Sequence, residues 1–205
     1  MQNQPKKINV LPPSVFNLIA AGEVVARPAN VVKELVENSI DAGANFITIS
    51  ITGGGLKSIR VSDNGCGIAN DDIKNAFLPH ATSKIQTAKD LAQITSMGFR
   101  GEALASIASI SNCEIISKTT DAETATKYDV TQNKITFTAA SGGTTVTVSN
   151  LFYNTPARLK FLKSAKSEES EITNLVENYE RNKHHDMDET MIRNRYINPF
   201  FIALG

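Results

Sequence analysis

The sequence predicts an α+β protein, a two-layer sandwich in which one mixed, mainly antiparallel sheet carries helices on one face. Three observations lead there. Residues 45 to 62 read as a β-hairpin, further short alternating segments fall between 113 and 149, and helical patterns precede, separate and follow these strand groups. The chain has 205 residues, 41% of them hydrophobic, enough for one domain with a proper core, or one domain with an appendage.

Taken in order, Pro13 to Ala21 reads as a short helix with Val15, Leu18 and Ile19 on one side and Gly22 as its stop. A second helix starts near Pro28, a residue suited to a first helical turn, and ends near Gly43. NFITISIT alternates apolar and polar residues, and the turn GGG at 53 to 55 sends it back as KSIRVS. Asn70 is expected to cap a helix running through Ile73, Ala76 and Phe77. Residues 79 to 100 have no clean period and form a long loop, after which GEALASIASI is helical. Short strands follow at 113–118, 125–130, 134–138 and 144–149, then helices at 156–163 and 168–180. No internal repeat or low-complexity tract interrupts the order.

Composition excludes several classes. Lys plus Arg and Asp plus Glu each number 21, so the net charge is zero and no basic nucleic-acid footprint covers the whole chain. Cys66 and Cys113 lack CxxC spacing, which argues against a zinc site or a disulfide framework. No apolar run is long enough for a membrane span, and the polar start MQNQPKK is no signal peptide. The expectation is a soluble, intracellular protein with no membrane partner.

The stretch KELVENSIDAGA, 33 to 44, concentrates polar oxygen. On a helix turning by about 100° per residue, Glu34, Asn38 and Asp41 share a stripe with Glu37 beside them. Val32, Leu35, Val36 and Ser39 form the opposite face, which would lie on a core. A solvated acidic face is the bland reading, but no Lys or Arg follows within the run, and Asn costs helix propensity. DNGCGI, 63 to 68, follows a strand, and its glycines permit close approach by a ligand. Asp63 there can accept a hydrogen bond from an amino group such as that of adenine, although Asp-Asn-Gly is also ordinary turn chemistry. GFRGEALAS, 98 to 106, opens a helix with exposed N–H groups suited to phosphate. HATSK, 80 to 84, adds Thr82, Ser83 and Lys84 as phosphate donors. Neither glycine loop matches GxxxxGK[ST] or GxGxxG in a βαβ unit, so P-loop and Rossmann sites fit poorly.

The order ELVENSIDAG, DNGCGI, GFRGEALAS, GTTV resembles the GHKL (Bergerat-fold) ATPase superfamily. The longer stretches IAAGEVVARPANVVKELVENSIDAGA, HATSKI, GFRGEALASI and LFYNTPARLKFL look like the MutL family of DNA mismatch-repair proteins, and the similarity runs from about Ile8 to about Lys166. The resemblance implies ATP and Mg²⁺ as ligands. Glu34 would be the general base that deprotonates the attacking water, and Asn38 the Mg²⁺ ligand, a role that suits an oxygen donor on a metal that keeps most of its other positions for water and phosphate. Asp63 would read adenine, with Gly65, Gly67, Ile68 and Thr144 at the same edge. Thr82, Ser83, Lys84, Gly98, Phe99, Arg100, Gly101, Glu102 and Ala103 would hold the phosphates, with residues 79 to 100 as a lid. Glu37 and Asp41 are left as helix-surface or second-layer residues, and Cys66 as a small filler between glycines.

On this reading residues 1–166 are the ATPase domain, 167–180 a closing helix and 181–205 a divergent tail expected to be poorly ordered. Family members are longer. They carry a second domain whose lysine reaches the γ-phosphate, and a C-terminal dimerisation domain, so the chain is expected to be a truncated form. His184, His185, Asp186, Asp188 and Glu189 do not form a convincing metal site, since adjacent histidines point apart. The basic run RLKFLKSAK, 158 to 166, reads as a solvated helix face able to touch DNA weakly. The implied function is the weakly hydrolysing ATPase module of a mismatch-repair matchmaker. Its partners would be a mismatch-recognition protein and a downstream nuclease or helicase, with a homodimer in the complete protein and a monomer for this chain. The alternatives are a nucleotide-binding remnant or adaptor with little turnover, and a histidine kinase, which GFRGEAL and LFYNTPAR disfavour.

Overall fold

The computed structural model describes residues 9–12, 18–19, 21–22, 24–84, 101–182 and 201–204. Its regular elements are α1 (Pro28–Asp41), β1 (Ile47–Thr52), β2 (Ser58–Asp63), α2 (Ala103–Ser109), β3 (Asn112–Lys118), β4 (Ala125–Asp129), β5 (Lys134–Thr138), β6 (Gly143–Ser149), α3 (Pro156–Leu159), α4 (Ala165–Asn182) and β7 (Phe201–Leu204). Among the described residues the strands form one sheet in the order β5-β4-β3-β6-β2-β1-β7. Every pairing is antiparallel except β1 with β7. The predicted α+β sandwich with a mixed, mainly antiparallel sheet is therefore the observed architecture.

Register explains why one face is dry. Ile49 pairs with Val61 and Ile51 with Ile59 across the β1–β2 hairpin, Ile59 pairs with Val148, and Ile115 with Val146. All seven of these side chains are buried, whereas Thr48, Ser50, Arg60 and Thr147 alternate onto the wetter face. α1 lays Val31, Val32, Leu35, Val36 and Ile40 on the apolar side. Burying each such side chain is worth about 1.5–3 kcal/mol, so this stripe fixes how α1 is rotated and which residues face away from the core. α4 adds Ile172 and Val176 to the same cluster. Among the described residues no helix is long and apolar enough to cross a membrane.

Several element boundaries differ from expectation. Gly22 is helical rather than a stop, and the described helical residues continue to Val24. Its lack of a side chain serves Arg158, whose guanidinium would lie 1.8 Å from a Cβ placed there and donates to the carbonyls of Leu18 and Val25. The helix expected from Asn70 to Phe77 is a set of turns ending in a single 3-10 turn, Asn75–Phe77. Asn70 does not cap it, because its side-chain oxygen accepts from the Thr126 hydroxyl on β4. The helix expected over 156–163 stops at Leu159. Phe161, 88% exposed, gives the following turn no apolar face to bury. α4 begins earlier than expected, where Ser164 supplies both its carbonyl and its hydroxyl to the first amides of the helix. The tail places β7 beside β1, a strand that periodicity alone did not reveal. Residues 13–17 of the first expected helix, 85–100 of the expected lid and the 184–189 cluster lie outside the described residues.

Candidate functional site

Asp63 ends β2, and three elements converge on its carboxylate. Oδ1 accepts from the backbone N–H of Gly65 at 2.9 Å and of Thr144, at the start of β6, at 3.2 Å. Oδ2 accepts from the Ser39 hydroxyl of α1 at 2.8 Å. A carboxylate offers about four lone-pair positions. The described residues fill both on Oδ1 and one on Oδ2, which leaves Oδ2 able to accept one further donor. Ser39, read from periodicity as part of the core face, is therefore the residue that helical patterning missed. It is buried as expected, but its hydroxyl works on Asp63 as well as on the Leu35 carbonyl.

The glycine loop is pressed against its neighbours. Gly67 has φ +74°, and a Cβ there would stand 2.3 Å from the Lys118 carbonyl oxygen; Gly143 has φ +112°, and its Cβ would meet the Asp63 carbonyl oxygen at 2.0 Å. Neither position tolerates a side chain, by conformation or by space. Ser117, buried on β3, ties the loop down. It accepts from the Ile68 N–H at 2.8 Å and contacts the Thr144 hydroxyl at 2.9 Å. Thr144 and Ile68 thus belong to one hydrogen-bonded floor under Asp63. Cys66 is exposed rather than a filler, its N–H bonded to the Ala42 carbonyl.

On α1 the carboxylates acquire cations that no residue downstream in the run provides. Lys33, immediately before Glu34, lies 2.8 Å from Glu37 Oε2 and 3.6 Å from Glu34 Oε1. Lys84 arrives from the HATSK segment and donates to Asn38 Oδ1 at 3.0 Å and to Asp41 Oδ2 at 2.6 Å. The Asn38 amide oxygen thus already faces a cation, which is the chemistry a metal ion would require of it. Lys84 also bonds through its N–H to the Thr82 hydroxyl, while Ser83 is exposed. Gly101 packs on the same segment, since a Cβ there would lie 2.6 Å from the Ala81 carbonyl oxygen. Glu102 pairs with His80 at 3.1 Å and precedes Ala103, the first residue of α2. With seven residues, α2 is a shorter dipole than GEALASIASI suggested. Gly98, Phe99 and Arg100 lie outside the described residues. The structure therefore brings Glu34, Asn38 and Asp41, the Asp63 loop, Lys84 and the Gly101 turn to one side of the sandwich, through α1 and the ends of β2 and β6. Among the described residues no cluster of three or more His, Cys, Asp or Glu could hold a metal.

A fold of this topology, with a carboxylate and an amide on its first long helix and an Asp–glycine loop after the second strand, defines an ATPase class distinct from P-loop proteins. The profile described as "Histidine kinase-, DNA gyrase B-, and HSP90-like ATPase" matches residues 26–155, and the chain belongs to that family. Within it, the chain is similar to the N-terminal ATPase module of the DNA mismatch repair protein MutL. It is 54% identical to MutL of Clostridium botulinum over 177 residues, covering 85% of this chain and 27% of that protein. It is also 54% identical to MutL of Dichelobacter nodosus over 171 residues, covering 83% of this chain and 29% of the relative. The chain thus spans under a third of the length of these relatives. Among solved structures, the Aquifex aeolicus MutL ATPase domain complexed with ADP superposes with a TM-score of 0.65 at 28% identity, covering 88% of this chain and 61% of that one. The N-terminal domain of a DNA repair protein gives the same TM-score at 38% identity, covering 80% of this chain and 47% of the other.

Proposed function

We propose that the chain binds ATP with Mg²⁺ and hydrolyses it slowly, as the ATPase module of a cytoplasmic mismatch-repair matchmaker. In the complete protein the nucleotide would switch a homodimer and recruit a mismatch-recognition protein and a downstream nuclease or helicase, with weak, non-specific contact to DNA. The observation that carries the nucleotide reading is the Asp63 carboxylate, pinned by Gly65, Thr144 and Ser39 with room for one more donor. An adenine amino group is such a donor, and the glycines beside it keep the pocket thin enough for a flat base. The likeness to a MutL ATPase domain complexed with ADP supports the same choice.

Roles divide along α1. Asn38 Oδ1 would hold Mg²⁺, which when bound neutralises the phosphate oxygens. Lys84 would then have to leave Asn38, and its ammonium, still beside Asp41, would turn a donor towards phosphate. Glu34, one turn earlier, accepts the proton of the attacking water. Gly101, Glu102 and Ala103, with Gly98, Phe99 and Arg100 before them, would enclose the phosphates by backbone N–H groups. A metal ligand acts on the ground state, whereas a general base acts mainly in the transition state. Asn38→Ala should therefore abolish Mg²⁺-dependent binding of a fluorescent ATP analogue, while Glu34→Ala binds it and loses turnover. Equal loss of binding in both variants would sink the assignment.

A further inference from the structure

We propose that Lys33 is a positioning residue for Glu34, held in place by Glu37 and, through Glu37, by Tyr179 of α4. The inference rests on the reading of Glu34 as general base and adds what aims it.

Both oxygens of Glu37 are engaged. Oε1 accepts from the Tyr179 hydroxyl at 2.9 Å, and Oε2 accepts from Lys33 Nζ at 2.8 Å. Glu37 is thus a fixed bracket that faces α4 on one side and Lys33 on the other. A Lys followed four residues later by Glu is the weaker orientation of a helical ion pair, so α1 alone would not hold Lys33 in one place. The tyrosine does, by fixing the rotamer of Glu37. From that position the Lys33 ammonium lies 3.6 Å from Glu34 Oε1. This distance, longer than the 2.8 Å contact to Glu37, orients the carboxylate mainly by charge and spends no lone pair on a close hydrogen bond. A general base needs both properties, a fixed direction and an unfilled lone pair for the water proton.

α4 is a firm anchor for this bracket. At the start of α1, Arg27 grips Glu168 through two hydrogen bonds of 3.1 Å, and ten residues further along α1 Glu37 meets Tyr179, eleven residues beyond Glu168. Two helices tied at both ends at matching spacing cannot slide without breaking one tie, so the Lys33 ammonium inherits the rigidity of the α1–α4 pair.

Single-turnover ATP hydrolysis by the chain in excess over ATP, alongside the affinity for a non-hydrolysable analogue, separates positioning from folding. Lys33→Met should slow hydrolysis about tenfold, the scale on which sub-ångström misplacement acts, with analogue affinity changed less than about twofold. Lys33→Arg should restore most of the rate, and Tyr179→Phe should slow it by about threefold, less than losing the cation itself. The double variant Lys33→Met with Tyr179→Phe should be no slower than Lys33→Met alone, because both act through one contact. An unchanged rate in Lys33→Met overturns the proposal, as does affinity falling in step with rate, failure of Arg to rescue, or additive effects in the double variant. Glu34→Gln run beside them isolates the underlying reading: if it still hydrolyses at the unaltered rate, Glu34 is not the base, and the proposal falls with that assignment rather than with its own geometry.

Discussion

Replacing Ser39 by Ala removes one hydroxyl hydrogen from one carboxylate and leaves the remaining contacts of α1 in place. The Ser39 side chain is buried and donates to Asp63 Oδ2 at 2.8 Å, with the Leu35 carbonyl as a second acceptor at 3.1 Å. Alanine is a better helix former than serine, which offsets the loss by a few tenths of a kcal/mol. A hydrogen bond to a charged group contributes about 1.5–3 kcal/mol, so the net destabilisation should be about 1–2.5 kcal/mol. For a chain of this size that corresponds to a fall in Tm of roughly 2–10 °C. Asp63 keeps its two bonds from Gly65 and Thr144, so the loop should persist, but the carboxylate loses the contact that aims Oδ2. Nucleotide affinity should therefore fall by more than the stability loss explains, by about tenfold at a temperature where both chains are fully folded. Differential scanning fluorimetry and analogue titration measure the two effects on the same samples. A Tm within about 1 °C of the unaltered chain together with unchanged affinity would refute the view that Ser39 holds Asp63 for the ligand.

Arg27→Met should cost about 3–5 kcal/mol in chemical denaturation, because Glu168, with no exposed surface, would keep among the described residues only the Lys163 N–H as a partner for a buried charge; a loss under about 1 kcal/mol would show that the pair is dispensable. The Glu171 carboxyl is held below its usual value of 4.5, first by its hydrogen bond from Lys163 and then by the charge of Arg27. A depressed carboxyl contributes stability above its unfolded value and loses it as pH falls through the lowered folded value. The Tm gap between the unaltered chain and Glu171→Gln should accordingly be largest above pH 4.5 and shrink below it, and a gap that widened in acid would contradict the pairing. Burial pushes the Cys113 thiol up to about 11, whereas Cys66 is exposed. An Ellman titration of the native chain at pH 8 should find one fast thiol, removed by Cys66→Ser, with the second reacting only on unfolding.

Much of the fold was legible because its signals are local. The β1–β2 hairpin announces itself in the alternation of Ile47, Ile49 and Ile51 and the three glycines that follow. α1 is marked by Pro28 and by an apolar stripe whose members are the residues found buried. The site motifs were visible for the same reason: a carboxylate and an amide spaced one helical turn apart, and an Asp at a glycine loop, are patterns of neighbours in sequence. Where local chemistry was ambiguous the reading failed. Asn70 has the features of a helix cap, and only the arrival of Thr126 from β4 decides that its oxygen is used elsewhere.

By itself, then, the sequence determined the class of fold, the polar stripe on α1 and the loops that could surround a nucleotide, since these follow from periodicity and backbone permissiveness within a few residues. Tertiary structure alone decided what neutralises that stripe. Lys84 reaches Asn38 and Asp41 across more than forty positions, Tyr179 reaches Glu37 across 142, and Thr144 reaches Asp63 across 81. It also decided that the Ser39 hydroxyl is spent on Asp63 and that Gly22 makes way for Arg158. Such pairings depend on how the hairpin, β6 and α4 pack against one helix, and a hydrogen bond between residues so far apart leaves no periodicity in the chain that carries them.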